Sequence, residues 1–99
     1  TAANALPLPV KDITPTDPFL TENPPNFGFS ITATIGKLDQ LTCYNTQQGR
    51  LKIERLGATR IELRFDEKLP QGRSRINCTL PDGEGRWRWF GRQFFVDHD

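Results

Sequence analysis

Apolar and polar residues alternate with a period of two along most of the chain after Phe27. The clearest runs are residues 27–35, 60–66 and 73–80. Such alternation places one set of side chains on each face of an extended strand, and no segment shows a convincing helical period. Turn residues such as Gly, Pro and Asp separate the runs at intervals of about eight to twelve residues. The pattern predicts an all-β fold, an antiparallel immunoglobulin-like β-sandwich in a single small domain.

The same alternation predicts which side chains face the core. In each run the apolar positions point inward and the polar positions point outward. The predicted inward set is Phe27, Phe29, Ile31, Ala33, Ile35, Leu41, Cys43, Leu51, Ile53, Ile61, Leu63, Phe65, Ile76, Cys78 and Leu80.

An Arg-Trp-Arg-Trp-Phe run at residues 86–90 opens the predicted last strand. Read at a period of two, it turns Trp87 and Trp89 inward. Arg86, Arg88 and Phe90 then point outward. This orientation requires Trp87 to be buried.

The second half of that strand has the opposite parity. Gly91 interrupts the run, and the next apolar residues that fit a core are Phe94 and Val96. The change of parity predicts a bulge or bend at the glycine.

A chain of 99 residues makes one domain, since it has no room for a second core. Six of the eight prolines lie before Phe27, and spaced prolines favour an extended backbone. Residues 1–26 are therefore predicted to be a Pro-rich linker or extended lead-in, and residues 27–99 the β-sandwich module. An edge strand lying across a sheet, anchored by Ile13 or Phe19, is the other interpretation of the first segment.

The chain has two cysteines, and each lies in a strand-like run. A disulfide between Cys43 and Cys78 would staple a small core, in the way that immunoglobulin-like sandwiches fasten their two sheets. A disulfide implies an exported protein, periplasmic or extracellular. Two buried free thiols in a cytosolic protein are the alternative. Methionine is absent and no leader is visible, so we expect a processed chain or an excised domain.

Charge and hydropathy limit the classes of partner. The net charge is +1, although the basic residues concentrate in the second half of the chain. A polyanion-binding domain is usually far more basic, so nucleic acid is not expected as a partner. No stretch is apolar enough for a membrane span. We expect a monomer.

The sequence offers little catalytic machinery. His98 is the single histidine and stands next to the last residue, where it makes a poor general base or metal ligand. Two cysteines with one histidine cannot build a zinc site. The acidic pairs Asp66–Glu67 and Asp82–Glu84 lie in turns, where acids are ordinary. We expect no enzyme activity, no metal and no cofactor.

Arginines and aromatic residues in the second half of the chain indicate a binding function. Aromatic rings stack on pyranose faces, and Arg or Asn side chains donate hydrogen bonds to hydroxyls or carboxylates. The candidate ligand-binding residues are Tyr44, Arg75, Asn77, Arg86, Arg88, Trp89 and Phe90. The same tryptophans also suit a sandwich core, and an arginine patch is also typical of a solvated face. Asn77 begins an N-glycosylation pattern, which is short and common.

Three segments carry a family resemblance. Residues 72–79 (GRSRINCT) and 85–90 (GRWRWF), with residues 41–44 (LTCY) upstream, are similar to the β-rich C-terminal module that follows the catalytic domain in some bacterial exported polysaccharide deacetylases. The resemblance covers residues 41–95. The catalytic parts of that family, a metal-binding Asp with two histidines, are absent from this chain.

The resemblance implies an accessory module, tethered through the Pro-rich lead-in, that acts beside an enzyme. The leading functional hypothesis is a non-catalytic, glycan-binding or glycan-positioning module. Its partner would be a chitin-like or peptidoglycan-like polysaccharide, or the adjacent catalytic domain. The alternative is a structural or protein-interaction module that packs on a neighbouring domain and binds no sugar.

Overall fold

A computed structural model describes residues 5–21, 24–32 and 38–97. The expectations for Ala33, Ile35 and His98 lie outside the described residues. Within these ranges a single 3₁₀ turn, Leu38–Gln40, accompanies the strands. The strands are β1 (Ala5–Pro7), β2 (Val10–Thr14), β3 (Phe19–Leu20), β4 (Phe27–Ile31), β5 (Thr42–Asn45), β6 (Gly49–Arg50), β7 (Lys52–Leu56), β8 (Arg60–Arg64), β9 (Gly72–Pro81) and β10 (Trp87–Val96). No helix in this part of the chain is long and apolar enough to cross a membrane.

The strands form two sheets. Sheet A has the order β1-β10-β9-β5-β6, with β3 also paired to β10, and sheet B has the order β2-β4-β8-β7. All pairs are antiparallel except those that β1 and β3 make with β10. The predicted all-β antiparallel sandwich is confirmed.

The core lies between the sheets. Phe27 packs against Phe94 with ring centroids 4.8 Å apart, and Phe29 packs against Phe90 at 5.3 Å. Each pair joins sheet B to sheet A. The predicted inward residues of β8 and β9 are confirmed as buried, namely Ile61, Leu63, Ile76, Cys78 and Leu80, together with Phe65 just after β8.

The Pro-rich lead-in contributes to both sheets. Strand β1 lies against one end of β10 and β3 against the other, while β2 pairs with β4 in sheet B. Leu8 and Leu20 are buried in the core, and Ile13 packs against it. Among the described residues, hydrogen-bonded strands are therefore present ahead of Phe27, from Ala5 onward.

The predicted Cys43–Cys78 disulfide is present. It joins neighbouring strands of one sheet, since Cys43 lies directly opposite Cys78 with a Cα–Cα distance of 4.0 Å. The N–H of Leu51 donates to the Cys43 carbonyl at 2.8 Å, so that carbonyl points away from β9. Such non-hydrogen-bonded pairs bring side chains closest together. The expectation that the bond fastens the two sheets to each other is wrong.

Candidate functional site

The outer surface of sheet A carries exposed aromatic side chains. Trp87 is 53% exposed, Trp89 46% and Tyr44 48%. Directly opposed residues share a face of an antiparallel sheet, so the register places Trp89 beside Thr79 and Tyr44 beside Asn77. We call this surface the aromatic face. It consists of Thr42, Tyr44, Arg75, Asn77, Thr79, Trp87 and Trp89.

The orientation of β10 creates this face. Its inward residues are Phe90, which is partly buried, and Phe94 and Val96, which are fully buried. Trp87 and Trp89 have the opposite parity and point to solvent. The prediction that Trp87 and Trp89 face the core and Phe90 faces outward is wrong.

The register of the β9–β10 hairpin explains the difference. Pairing runs without a shift from Trp87 opposite Pro81 to Val96 opposite Gly72. There is consequently no bulge at Gly91, and the predicted change of parity does not occur. Because one register covers the whole hairpin, burial of Phe94 and Val96 forces the tryptophans outward.

Gly91 instead makes room for an arginine. A Cβ at Gly91 would lie 3.0 Å from both Cζ of Arg75 and Oδ1 of Asn77, and closer still to Nη2 of Arg75. The Arg75 guanidinium therefore lies over the backbone of β10 at Gly91. Its Nε donates to Oδ1 of Asn77 at 3.0 Å, and within the described residues Nη1 and Nη2 have no protein acceptor.

The outer surface of sheet A contains arginines and no acids. None of the strands β1, β3, β5, β6, β9 and β10 includes Asp or Glu. Arg50 lies opposite Tyr44 and Arg73 opposite Phe95, so both point outward with Arg75. Among the described residues, none of these three arginines forms an ion pair. The outer surface of sheet B is different, since Arg64 donates from Nε to Glu54 at 2.8 Å.

The disulfide lies directly behind the aromatic face. Cys43 and Cys78 point into the core, and the next pair along the same two strands is Tyr44 opposite Asn77. The covalent bond therefore ties β5 to β9 at the position that presents Tyr44 and Asn77. This arrangement holds the two side chains on a rigid frame before any ligand arrives.

Three of the predicted ligand residues lie elsewhere. Phe90 is on the core side against Phe29. Arg88 shares that side of β10, where Nη1 donates to the Pro7 carbonyl at 3.4 Å. Arg86 lies in the loop before β10. The structure thus brings together Tyr44, Arg75, Asn77 and Trp89 from the predicted set.

Arg86 and Arg88 surround a buried carboxylate. The Asp82 side chain is 4% exposed, and its Oδ2 lies 3.2 Å from Nε of Arg86 and 3.8 Å from Nε of Arg88. Its Oδ1 accepts the backbone N–H of Glu84 at 2.8 Å and of Arg86 at 3.2 Å. The N–H of Glu84 lowers the pKa of Asp82 most; burial opposes it, and the N–H and charge of Arg86, with the charge of Arg88, add to the lowering. These contacts fix the loop that leads into Trp87.

The far end of β10 carries a second aromatic feature. Phe19 of β3 stacks on Phe95 with centroids 5.2 Å apart and an interplanar angle of 18°. Phe19 is 64% exposed. Trp87 and Phe95 are separated by about 27 Å along the strand at its usual rise per residue. Exposed rings therefore stand at both ends of an extended surface.

Sequence reasoning missed Trp87, Thr79 and Thr42 as surface residues of the site. The signal that would have identified Trp87 is the loop length, because five residues, 82–86, separate the two strands and fix which residues oppose each other. Thr79 has the parity of the outward residues of β9, and no other pattern in the sequence indicates that it belongs to the site. It joins the site because Trp89 is directly opposite.

These features define a small disulfide-bonded β-sandwich with one aromatic sheet face, whose strands contain no Asp or Glu. Within the described residues there is no group of three His, Cys, Asp or Glu side chains that could hold a metal ion. Comparison with protein-family models, with curated proteins and with solved structures finds no match to this chain. The resemblance to the accessory module of polysaccharide deacetylases stays a prediction from the sequence.

Proposed function

We propose that the aromatic face binds a glycan, and that the protein is a non-catalytic carbohydrate-binding module. The observation that carries the proposal is the outward exposure of Trp87, Trp89 and Tyr44 around the Arg75–Asn77 pair. Large exposed aromatic patches are rare on proteins without a partner for them. A pyranose ring offers a C–H face that stacks on such rings and a rim of hydroxyls.

Polar groups on the face favour a glycan over a purely apolar partner. Asn77 and Thr79 of β9 stand between the tryptophans of β10 and Tyr44 of β5, and among the described residues the Asn77 amide nitrogen and the Thr79 hydroxyl are available for sugar hydroxyls. A binding site of this kind combines apolar surface with a few placed polar groups. Because neighbouring strands are about 4.8 Å apart, the groups of adjacent strands are close enough to contact one extended chain.

The setting of such a module follows from the disulfide. A Cys43–Cys78 bond persists in an oxidising compartment, which supports export to the periplasm or the extracellular space. The chain would work beside an enzyme of polysaccharide modification and supply retention on the polymer.

The alternative is a module that packs this face on a neighbouring domain and binds no sugar. Its supporting observation is the Phe19–Phe95 stack, an apolar feature whose outer ring is largely exposed. Protein contacts commonly use such aromatic anchors.

Retention assays separate the two functions. The purified chain is tested on insoluble chitin, on peptidoglycan sacculi and on soluble polysaccharides in affinity gels. We expect retention of the wild type, and a loss on the order of tenfold in affinity for Trp89→Ala, as for one central aromatic anchor. Leu56→Ala, which removes an exposed apolar side chain from sheet B, is the matched control. Absence of wild-type retention on every neutral and acidic polysaccharide would refute the glycan proposal.

A further inference from the structure

We infer that the ligand of the aromatic face is a carboxylate-bearing polysaccharide, with Arg75 as the residue that binds the carboxylate. The inference rests on the proposed glycan function and specifies its substrate class. It starts from the separation of charge between the two sheets.

Two outward basic residues of sheet B form ion pairs, whereas among the described residues the outward arginines of sheet A form none. In sheet B, Arg64 pairs with Glu54. Nζ of Lys52, the first residue of β7, lies 3.5 Å from Oδ1 of Asp66. In sheet A, Arg50, Arg73 and Arg75 point outward from strands that contain no acid. A surface with guanidinium groups and no carboxylates attracts an anion and repels none.

The type of basic residue indicates which kind of anion the aromatic face would bind. The described strands of sheet A contain arginine and no lysine, whereas those of sheet B include Lys11 and Lys52. Arginine presents a rigid planar fork of donors that matches a carboxylate with two parallel hydrogen bonds, and it loses less conformational freedom per bond than lysine.

Arg75 is already oriented for such a contact. Asn77 accepts the hydrogen bond from its Nε, and the missing side chain at Gly91 lets the guanidinium lie against the backbone of the sheet. The terminal Nη1 and Nη2 edge remains for a planar carboxylate. Trp89 is the outward residue of β10 that precedes Gly91, about 7 Å away along the strand. A sugar ring stacked on Trp89 would place a carboxylate substituent of that ring, or of the next one, near Arg75.

Carboxylate and sulfate groups share this chemistry, and the planar geometry of the free Arg75 edge favours the carboxylate. Single-stranded nucleic acid also combines stacking with basic residues. The net charge of +1 is low for that function. A sulfated polymer and a single-stranded nucleic acid are therefore both included in the test.

The test compares a carboxylate polymer, a neutral polymer, a sulfated polymer and a nucleic acid. Affinity of the full chain is measured for polygalacturonate, for neutral hydroxyethylcellulose, for dextran sulfate and for a single-stranded oligonucleotide, each at low and high NaCl. We expect polygalacturonate to bind at least tenfold more tightly than the neutral polymer, with an affinity that falls as salt rises.

Arg75→Gln removes the charge and keeps an amide donor. We expect this variant to bind polygalacturonate about tenfold or more weakly, because a hydrogen bond to a charged group usually contributes that much to affinity. Its affinity for the neutral polymer should be nearly unchanged. Arg55→Gln makes the same chemical change on β7 of sheet B and should match the wild type. Thermal unfolding of both variants checks that each is folded.

Each outcome has one meaning. Equal binding of neutral and acidic polymers, or an unaltered Arg75→Gln, overturns the carboxylate inference and leaves the glycan proposal standing. Tighter binding of dextran sulfate overturns the choice of carboxylate, and tighter binding of the oligonucleotide overturns the polysaccharide. Binding of no polymer overturns the proposed function itself.

Discussion

The ring of Phe90 packs against the ring of Phe29 across the two sheets, with centroids 5.3 Å apart. This contact sets the inward face of β10. Trp87 and Trp89, which have the opposite parity in the same strand, are held outward by it. The same orientation of β10 therefore produces both the core contact and the candidate binding face.

Truncating Phe90 should cost much more stability than truncating Trp87. Phe90→Ala removes a partly buried ring and should lower the free energy of unfolding by about 2 to 3 kcal/mol. Trp87→Ala removes a mostly exposed ring and should cost within about 0.5 kcal/mol. Urea unfolding measures both, and acrylamide quenching should reach both tryptophans of the wild type. A larger cost for Trp87→Ala would show that the strand is turned the other way.

Gly91→Ala should disturb binding and leave the fold intact. The new Cβ would displace the Arg75 guanidinium, which is the far end of a flexible side chain, so the free energy of unfolding should change by less than about 1 kcal/mol. Affinity for the acidic polymer should fall because Arg75 loses its orientation. Unchanged affinity in this variant would show that the position of Arg75 is irrelevant to binding.

Gly28→Ala is the matched control on sheet B. There the guanidinium of Arg60 occupies the space, with Nη2 2.7 Å from the Cβ position. Arg60 donates to the Asp12 carbonyl at 2.7 Å and to Oγ1 of Thr14 at 2.8 Å. Displacing it should cost about 1 to 2 kcal/mol, since hydrogen bonds between β8 and β2 are lost. Glycan affinity should be that of the wild type.

Leu8→Ala tests whether the lead-in belongs to the core. Leu8 is 4% exposed, and its N–H donates to the Trp89 carbonyl at 2.7 Å. Truncation should lower the free energy of unfolding by about 2 to 4 kcal/mol. Lys11→Ala, at an exposed position of β2, should change it by no more than about 0.5 kcal/mol. Equal, small effects in urea unfolding would show that the lead-in is not packed.

Replacing both cysteines by alanine should destabilise the protein by about 3 to 4 kcal/mol, from the larger entropy of the unfolded chain without the cross-link. The two residues are 35 apart in sequence, so the bond closes a long loop. Non-reducing mass spectrometry after proteolysis checks the bond in the wild type. Detection of two free thiols in the native protein would contradict the structure and remove the support for export.

Acidification should weaken the loop before β10. The pKa of Asp82 is lowered in the folded state, first by the N–H of Glu84, so its carboxylate stabilises the fold above the unfolded pKa of about 3.9. That stabilisation is lost as the pH falls through the lower pKa of the folded state. Thermal midpoints of the wild type and Asp82→Asn should therefore differ at pH 7 and converge at strongly acidic pH. A gap that widens on acidification would exclude this role of Asp82.

The sequence by itself determined the strands after Phe27 and which two cysteines can pair. In β8 the apolar residues Ile61 and Leu63 share one parity, and the charged residues Arg60, Glu62 and Arg64 share the other. Only one orientation of β8 buries both apolar residues, so the period-two alternation is sufficient to predict which side chains face the core. The two cysteines have a single possible pairing within the chain.

The sequence did not determine the orientation of β10. Its apolar residues are divided equally, since Trp87, Trp89 and Phe95 share one parity and Phe90, Phe94 and Val96 the other. Local alternation gives both orientations similar apolar surface to bury. Tertiary structure decided between them through the β9–β10 register and the contact with Phe29.

The Pro-rich lead-in is a second segment whose packing the local sequence pattern does not determine. Its prolines predict an extended backbone, and β1 to β3 are strands, interrupted by an irregularity in β2 where Asp12 has a φ of 52°. Whether an extended segment pairs with a sheet depends on strands almost the whole chain away, since β1 lies against β10. Local pattern thus fixed which residues can form strands, whereas register and pairing between distant segments decided which faces are buried and left Trp87, Trp89 and Tyr44 on the surface.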